Sequence, residues 1–253
     1  MKKILVILYG IISYVTFLIA FLYAIGFVGN LLVPKTIDSG AEPPFMEALM
    51  INIALMSLFA IQHSVMARPA FKKWVTQLIS PATERSTYVL LSSLALILLY
   101  WQWQPMNTVI WAVEGVPAIM LTGLFYGGWL IIFLSSFMIS HFELFGLTQV
   151  FYNFKDKTAP TPEFQVNFFY KIVRHPIMVG FIIAFWATPT MTVGHLLFTV
   201  VTTLYIIIAV KYLEEKDLKK AIGEDYLKYQ KRVPMFVPFS KSKQKGLESE
   251  TSL

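Results

Sequence analysis

Apolar residues fall in five long uncharged runs, at residues 4–28, 48–67, 86–113, 115–142 and 175–210, and the charged residues are confined to the segments between them. A helix needs about 20 apolar residues to cross the hydrocarbon core of a bilayer, with roughly 17 as the lower limit. The first four runs therefore predict one crossing each. The fifth spans 36 positions without Asp, Glu, Lys or Arg. As a single helix it would extend roughly 54 Å at about 1.5 Å per residue, well beyond the bilayer thickness. It must double back. Thr188-Pro189-Thr190 and Gly194 supply the break, since Pro removes a backbone donor and Gly permits a turn. Two short crossings fit this length, and so does a hairpin that dips only partway across.

A different periodicity follows. From Leu213 to Val233, the residues Leu218, Ile222, Tyr226, Tyr229 and Val233 recur at three- and four-residue spacing, while Lys216, Lys219, Lys220, Lys228 and Lys231 lie mostly off that stripe. This predicts an amphipathic helix at the membrane interface, stopped by Val233-Pro234 and Val237-Pro238. The Lys-, Ser- and Glu-rich residues beyond Phe239 have the composition of a disordered tail. The expected fold is an all-α integral membrane protein with five to six transmembrane helices, a C-terminal helical hairpin and a cytoplasmic amphipathic helix. It divides into a four-helix region at 1–142, a cytoplasmic loop at 143–174, a hairpin with interfacial helix at 175–239, and a tail at 240–253.

Composition agrees with this class. Of 253 residues, 56% are hydrophobic and 14% charged, with a mean hydropathy of +0.61, more apolar surface than a soluble domain of this length covers. The absence of cysteine excludes disulfides, Cys-based zinc sites and a Cys nucleophile. The net charge of +6 sits in short loops, the footprint of contact with anionic lipid, so the expected partner is the lipid bilayer and no nucleic acid. Lys2 and Lys3, the loops carrying Arg68, Lys72, Lys73 and Arg85 and then Lys155, Lys157, Lys171 and Arg174, and the tail from Lys211 fall on one side. The loops at 30–44 and 104–117 carry one Lys between them. The basic side is expected to be cytoplasmic, with both termini there and the first apolar run retained as a helix. Trp101, Trp103 and Trp111 are expected as aromatic anchors at the outer interface.

Both ends of the last apolar run then face the cytoplasm. One end carries Arg174-His175-Pro176, the other Glu214-Glu215, and a cation with a histidine opposite paired carboxylates suits a polar ligand between them. Singly, each has a plainer reading: Arg174 as a positive-inside marker, Glu214 as a partner of Lys211 or Lys216. His residues are too few and scattered for a metal set. No phosphate-cradling loop, Gly-x-Ser-x-Gly elbow or His-Glu-x-x-His occurs.

Taken together, Tyr170-Lys171-Ile172-Val173-Arg174-His175-Pro176, Gly180, Glu214-Glu215-x-x-Leu218, Gly223, Tyr226-x-x-Tyr229 and Val233-Pro234-x-Phe236-x-Pro238 resemble the C-terminal signature of the isoprenylcysteine carboxyl methyltransferase and phospholipid methyltransferase superfamily. Gln62-His63-Ser64-Val65-Met66-Ala67-Arg68, Glu84-Arg85-Ser86-Thr87-Tyr88-Val89, Trp101-Gln102-Trp103, His141-Phe142-Glu143-Leu144-Phe145-Gly146-Leu147 and Thr190-Met191-Thr192-Val193-Gly194-His195 are similar to one branch, the bacterial methanethiol S-methyltransferases. Met178 stands where the wider superfamily usually has Tyr, and Ile222 where it often has Phe.

The resemblance implies S-adenosylmethionine bound at the cytoplasmic side of a bacterial inner membrane, and methanethiol as the methyl acceptor. Another thiol, an isoprenylcysteine carboxylate or a lipid amine are rival acceptors, and a non-enzymatic accessory protein is the remaining alternative. Glu214 and Glu215 can supply anions for the amino group and ribose; His175 with Arg174 can meet the carboxylate at a helix start, where free N–H groups favour an anion. Pro176 suits the first helical position, and Gly180 allows close approach. Met178 and Tyr226 complete the expected cofactor contacts. A thiol must lose its proton before attack, and free alkyl thiols titrate near or above cysteine's value of about 8.5. His141 and Glu143 at the end of the fourth run, His63 at the end of the second and Arg85 at the start of the third are the candidates for this task. His195, at the hairpin tip, reads as an end-of-helix residue.

Overall fold

The computed structural model describes residues 2–160, 164–238 and 240, so the expected tail at 240–253 lies, from 241 onward, outside the described residues. The first four runs form α1 (Lys2–Gly29), α2 (Phe45–Ala67), α4 (Pro81–Gln102) and α5 (Gly115–Ile139), with a short α3 (Pro69–Val75) between the second and third. Each of these four long helices is apolar and long enough to span a membrane, as is the continuous helical stretch Val193–Ile222. The chain is a multi-pass membrane protein. Wide rows of exposed apolar side chains, such as Ile12, Ile19 and Leu22 on α1 and Leu204 and Ile208 on the last span, are the surfaces lipid covers.

The last run is asymmetric. Its first arm, α8 (Pro176–Trp186), has 11 residues, about 16 Å of helix, too short to cross. Beyond Ala187 the chain is extended and forms β2 (Thr190–Thr192), which pairs antiparallel with β1 (Val109–Ala112). The pairing satisfies backbone groups that lipid could not. α9 (Val193–Ala209) returns, capped by the Thr192 hydroxyl, which accepts from His195 N at 3.1 Å. A π-helical turn, Val210–Glu214, then leads into α10 (Glu215–Ile222).

Two expectations are corrected. The amphipathic stretch is not one helix: Gly223 adopts φ +72° and ψ −134°, a conformation side chains strongly disfavour, so α11 (Glu224–Arg232) folds back and buries Tyr226 and Tyr229 against Leu218 and Ile222. Trp103 is fully buried rather than interfacial, its Nε1 donating to Ile37 O at 3.0 Å; Trp101 alone of the three is largely exposed. The 143–174 segment also contains α7 (Leu147–Phe154), after a single turn α6 (His141–Leu144). α7 is seated on α1 because Val150 fills the space left by Gly10.

The two ends of the bundle separate as the loop charges predict. At one end, Lys3 pairs with Asp156, Arg68 with Asp217 at 2.9 Å, and Arg85 Nε donates to Leu144 O at 2.7 Å. At the other, Glu42 accepts from Asn107 N, and Thr192 Oγ1 donates to Asp38 at 2.6 Å. The core between them is aromatic, with Phe27, Trp103, Phe185 and Phe198 in edge-to-face contacts. α8 lies along α5, and Gly180 and Gly128 meet backbone to backbone.

Candidate functional site

Two segments distant in sequence meet at the charged end. His175 caps α8, with Pro176 at its first helical position, and the preceding residues are held by the tail: Arg174 N donates to Pro234 O at 2.9 Å and His175 N to Met235 O at 3.3 Å. Tyr170, in a 3-10 turn at Phe168–Lys171, sends its hydroxyl toward Ser135 O at 3.4 Å, placing this segment one turn inside the end of α5.

The two adjacent glutamates have different duties. Glu215 Oε1 takes Arg174 Nε and Nη2, each at 2.6 Å, His175 Nε2 at 3.2 Å and the Tyr226 hydroxyl at 3.4 Å, and its Oε2 takes Gln230 Nε2 at 2.7 Å. Its side chain is 6% exposed, and Arg174 spends its remaining nitrogen on Val233 O at 2.5 Å and Gln230 O at 3.3 Å. Glu215, Arg174 and Tyr226 form the clasp that holds the tail to the head of α8. Glu214 instead has a side chain 42% exposed, with one hydrogen-bonding or ionic contact among the described residues, His175 Nδ1 at 3.4 Å. Its carboxylate is free to receive a ligand's donors.

His175 bridges both carboxylates, and this fixes its charge. Burial by itself would lower its pKa, but the hydrogen bonds and charges of Glu214 and Glu215 outweigh that and hold it up at about 8. The folded protein therefore binds this proton more tightly than the unfolded chain, whose histidine titrates near 6.5. The stabilisation is complete below about pH 6.5 and is lost as pH rises through about 8. We expect the thermal midpoint in detergent to fall across that window, and the fall to be blunted in His175→Gln; parallel pH curves for the two proteins would contradict it.

The other expected cofactor residues are placed as follows. Pro176 is buried at the start of α8, and Gly180 is given to helix contact, since a Cβ there would lie 2.7 Å from Gly128 O. Met178 is half-buried on α8. The aromatic group beside His175 comes from the tail: the Phe236 ring lies 5.9 Å from the imidazole. That partner was within the quoted motif, but only the fold shows which residue it faces.

The four thiol-side candidates part company. His141 is buried, with Nε2 2.8 Å from the Tyr14 hydroxyl and Nδ1 2.8 Å from Ser136 Oγ. Its ring stacks on Phe137 at 4.2 Å, and burial lowers its pKa. Both nitrogens are spent on packing. Glu143 is half-exposed on α6, and among the described residues its carboxylate has no hydrogen bond or ion pair. Arg85 is bonded to Leu144 O, with its guanidinium 5.1 Å from the Tyr88 ring centroid. His63 packs on Phe59 and contacts Tyr88 and Ser92. The charges of Glu214, Arg68 and Arg85 act on both His63 and Tyr88, so this set lies within electrostatic reach of Glu214. His195 is fully buried at the opposite end, bonded to Phe185 O at 2.9 Å. Tyr88 and Tyr205 were not singled out by sequence; Tyr205, on α9, meets Ser64 at 2.9 Å and also feels Glu214. The signal for Tyr88 is its position three residues after Arg85, on the same helix face.

Residues 122–225 match the phospholipid methyltransferase family. The chain is 53% identical to methanethiol S-methyltransferase 2 of Bradyrhizobium diazoefficiens, across 93% of this chain and 91% of the relative. It is 50% identical to methanethiol S-methyltransferase of Mycobacterium tuberculosis, across 94% and 98%, and 48% identical to that of Pseudomonas deceptionensis, across 91% and 88%. No solved structure matches the chain. With similarity of this extent running end to end, the chain belongs to the methanethiol S-methyltransferase family of membrane methyltransferases.

Proposed function

We propose that the protein methylates methanethiol with S-adenosylmethionine, giving dimethyl sulfide and S-adenosylhomocysteine, at the cytoplasmic side of a bacterial inner membrane with both termini cytoplasmic. The observation that carries this reading is the half-exposed Glu214 carboxylate, in contact with a charged His175 and within electrostatic reach of His63 and Tyr88.

The donor set fits the cofactor. Glu214 offers an unspent carboxylate for the amino group. His175 and the N–H groups of Ile177 and Met178 in the first turn of α8, which have no intrahelical acceptor, suit its carboxylate. Phe236 and Met178 offer apolar surface to the nucleoside. When bound, the cofactor supplies an electrophilic methyl group on a sulfonium, which leaves with the electron pair of the broken bond on its own sulfur. The task of the chain is then to present a thiolate in surroundings that solvate ions poorly, because charge disappears as the new bond forms.

The test is dimethyl sulfide in the headspace above cells given methanethiol, with cofactor binding measured on purified protein. Glu214→Gln should bind S-adenosylmethionine about tenfold to hundredfold more weakly, the value of one charge-assisted hydrogen bond, with only a small fall in thermal midpoint as His175 loses one of its two carboxylate partners. A parent protein that forms no dimethyl sulfide and is not stabilised by the cofactor would end this reading.

A further inference from the structure

Resting on the reading above, we propose that Tyr88 is a catalytic residue that accepts the proton of the thiol and passes its own to His63. The pair links α4 to α2 across the bundle. Tyr88 Oη lies 2.8 Å from His63 Nε2 and 3.1 Å from Nδ1. Ser92 Oγ lies 3.2 Å from Nδ1 and itself accepts from Gln62 Nε2 at 3.3 Å. Ser92 can therefore take the Nδ1 proton and leave Nε2 as the acceptor for the phenol. The imidazole is kept in place by Phe59, stacked at 5.1 Å.

Three features show that this is a working pair rather than core packing. First, the opposite oxygen of the same amide, Gln62 Oε1, is buried without a hydrogen-bond partner among the described residues. An orphaned buried acceptor costs about 1–3 kcal/mol, a cost that a ligand bringing a donor to it would remove. A thiol is such a ligand. Second, charge is arranged around the pair: Arg85 lies over the Tyr88 ring, Arg68 is within electrostatic reach at the end of α2, and Tyr205 and Glu214 face it from the α9 side. The two guanidiniums favour an anion where the thiolate would form. Third, His141, which like His63 closes an apolar run at this end, has both nitrogens committed and, among the described residues, no charged neighbour acting on it.

The chemistry matches. A phenol at about 10 and a thiol at about 8.5 or above exchange a proton with little cost, whereas an imidazole, at about 6.5, is the weaker base, so the net transfer to His63 is uphill and is drawn forward as methyl transfer consumes the thiolate. The S–H bond breaks and sulfur keeps its pair. The thiol proton moves to Tyr88 Oη, the phenol proton moves to His63 Nε2, and the imidazolium later returns one proton to water per turnover.

Because the protein has no cysteine, the S–H stretching band of an added thiol is free of protein background in the infrared. The experiment uses the full chain in detergent with methanethiol and a non-transferring cofactor analogue that carries a protonated amine in place of the sulfonium. In the parent, the band of the bound thiol should weaken when the analogue binds. In Tyr88→Phe it should persist although the analogue binds with parental affinity, and turnover should fall about a hundredfold or more. His63→Gln, which keeps the phenol but removes the proton's destination, should also retain the band. A parental loss of the S–H band in either variant, or parental turnover in Tyr88→Phe, would overturn the proposal. Its failure is distinct from failure of the broader reading, in which the parent itself makes no dimethyl sulfide.

Discussion

Glu215→Gln is expected to destabilise the protein by about 3–5 kcal/mol and to remove nearly all methyl transfer, the usual consequence of taking one partner from a buried ion pair. Arg174 would be left buried beside a neutral amide, still bonded to Val233 O and Gln230 O but without its counter-charge. Gln keeps a single amide oxygen, so either His175 and Tyr226, which bond Oε1, or Gln230, which bonds Oε2, would face an NH2 donor in place of an acceptor. Tail and α8 would separate, and with them the two halves of the cofactor site. Glu214→Gln removes the same charge one residue earlier, yet among the described residues disturbs only the contact to His175. The two substitutions therefore separate scaffold from ligand contact: the first should lower the thermal midpoint strongly and abolish cofactor binding, the second lower it only slightly and weaken binding. Equal thermal midpoints for the two variants would refute this division.

Gly128→Val should be nearly as damaging, from a site with no chemistry of its own. A Cβ at this position would lie 2.7 Å from both Ala184 N and Gly180 O, and 3.0 Å from Ala184 Cα. These are backbone atoms of α8, so no rotamer change relieves the clash and α8 must move away from α5. Overpacking of this kind typically costs about 1–3 kcal/mol, and backbone on backbone belongs at the upper end. Because His175 heads α8, a displacement of about 1 Å should lower kcat/KM roughly a hundredfold. Gly123→Val is the comparator: it lies on the same helix with nothing within 4 Å of its Cβ, and should behave as parent. A Gly128→Val protein with parental kcat/KM would show that α8 does not rely on this contact.

The sequence made the bundle legible because hydropathy and loop charge are local properties. The runs at 4–28, 48–67, 86–113 and 115–142 became α1, α2, α4 and α5, and Thr188-Pro189-Thr190 marked the break in the fifth. The meeting of Arg174-His175 with Glu214-Glu215 followed from the same reasoning and is realised in the ion pairs. What stayed hidden depends on partners across the fold. The composition of α8 does not disclose that it stops after 11 residues, because the extended backbone beyond it is made tolerable only by β1. Val150 identifies α7 as a packed helix only once Gly10 lies opposite. His63 and His141 are alike in sequence, each closing an apolar run, and the distinction between them rests on Tyr14, Ser136, Tyr88 and Ser92, none of which is a neighbour in the chain except Ser136.

The π-helical turn at Val210–Glu214 has a consequence beyond geometry. Successive residues on an ordinary helix point about 100° apart, and a wider turn resets that phase for everything after it. Which of two identical side chains guards the fold and which meets the ligand is therefore settled by reading frame, not by chemistry. The chain has stored part of its specificity in a count of residues, where neither a hydropathy plot nor the identity of any single amino acid can record it.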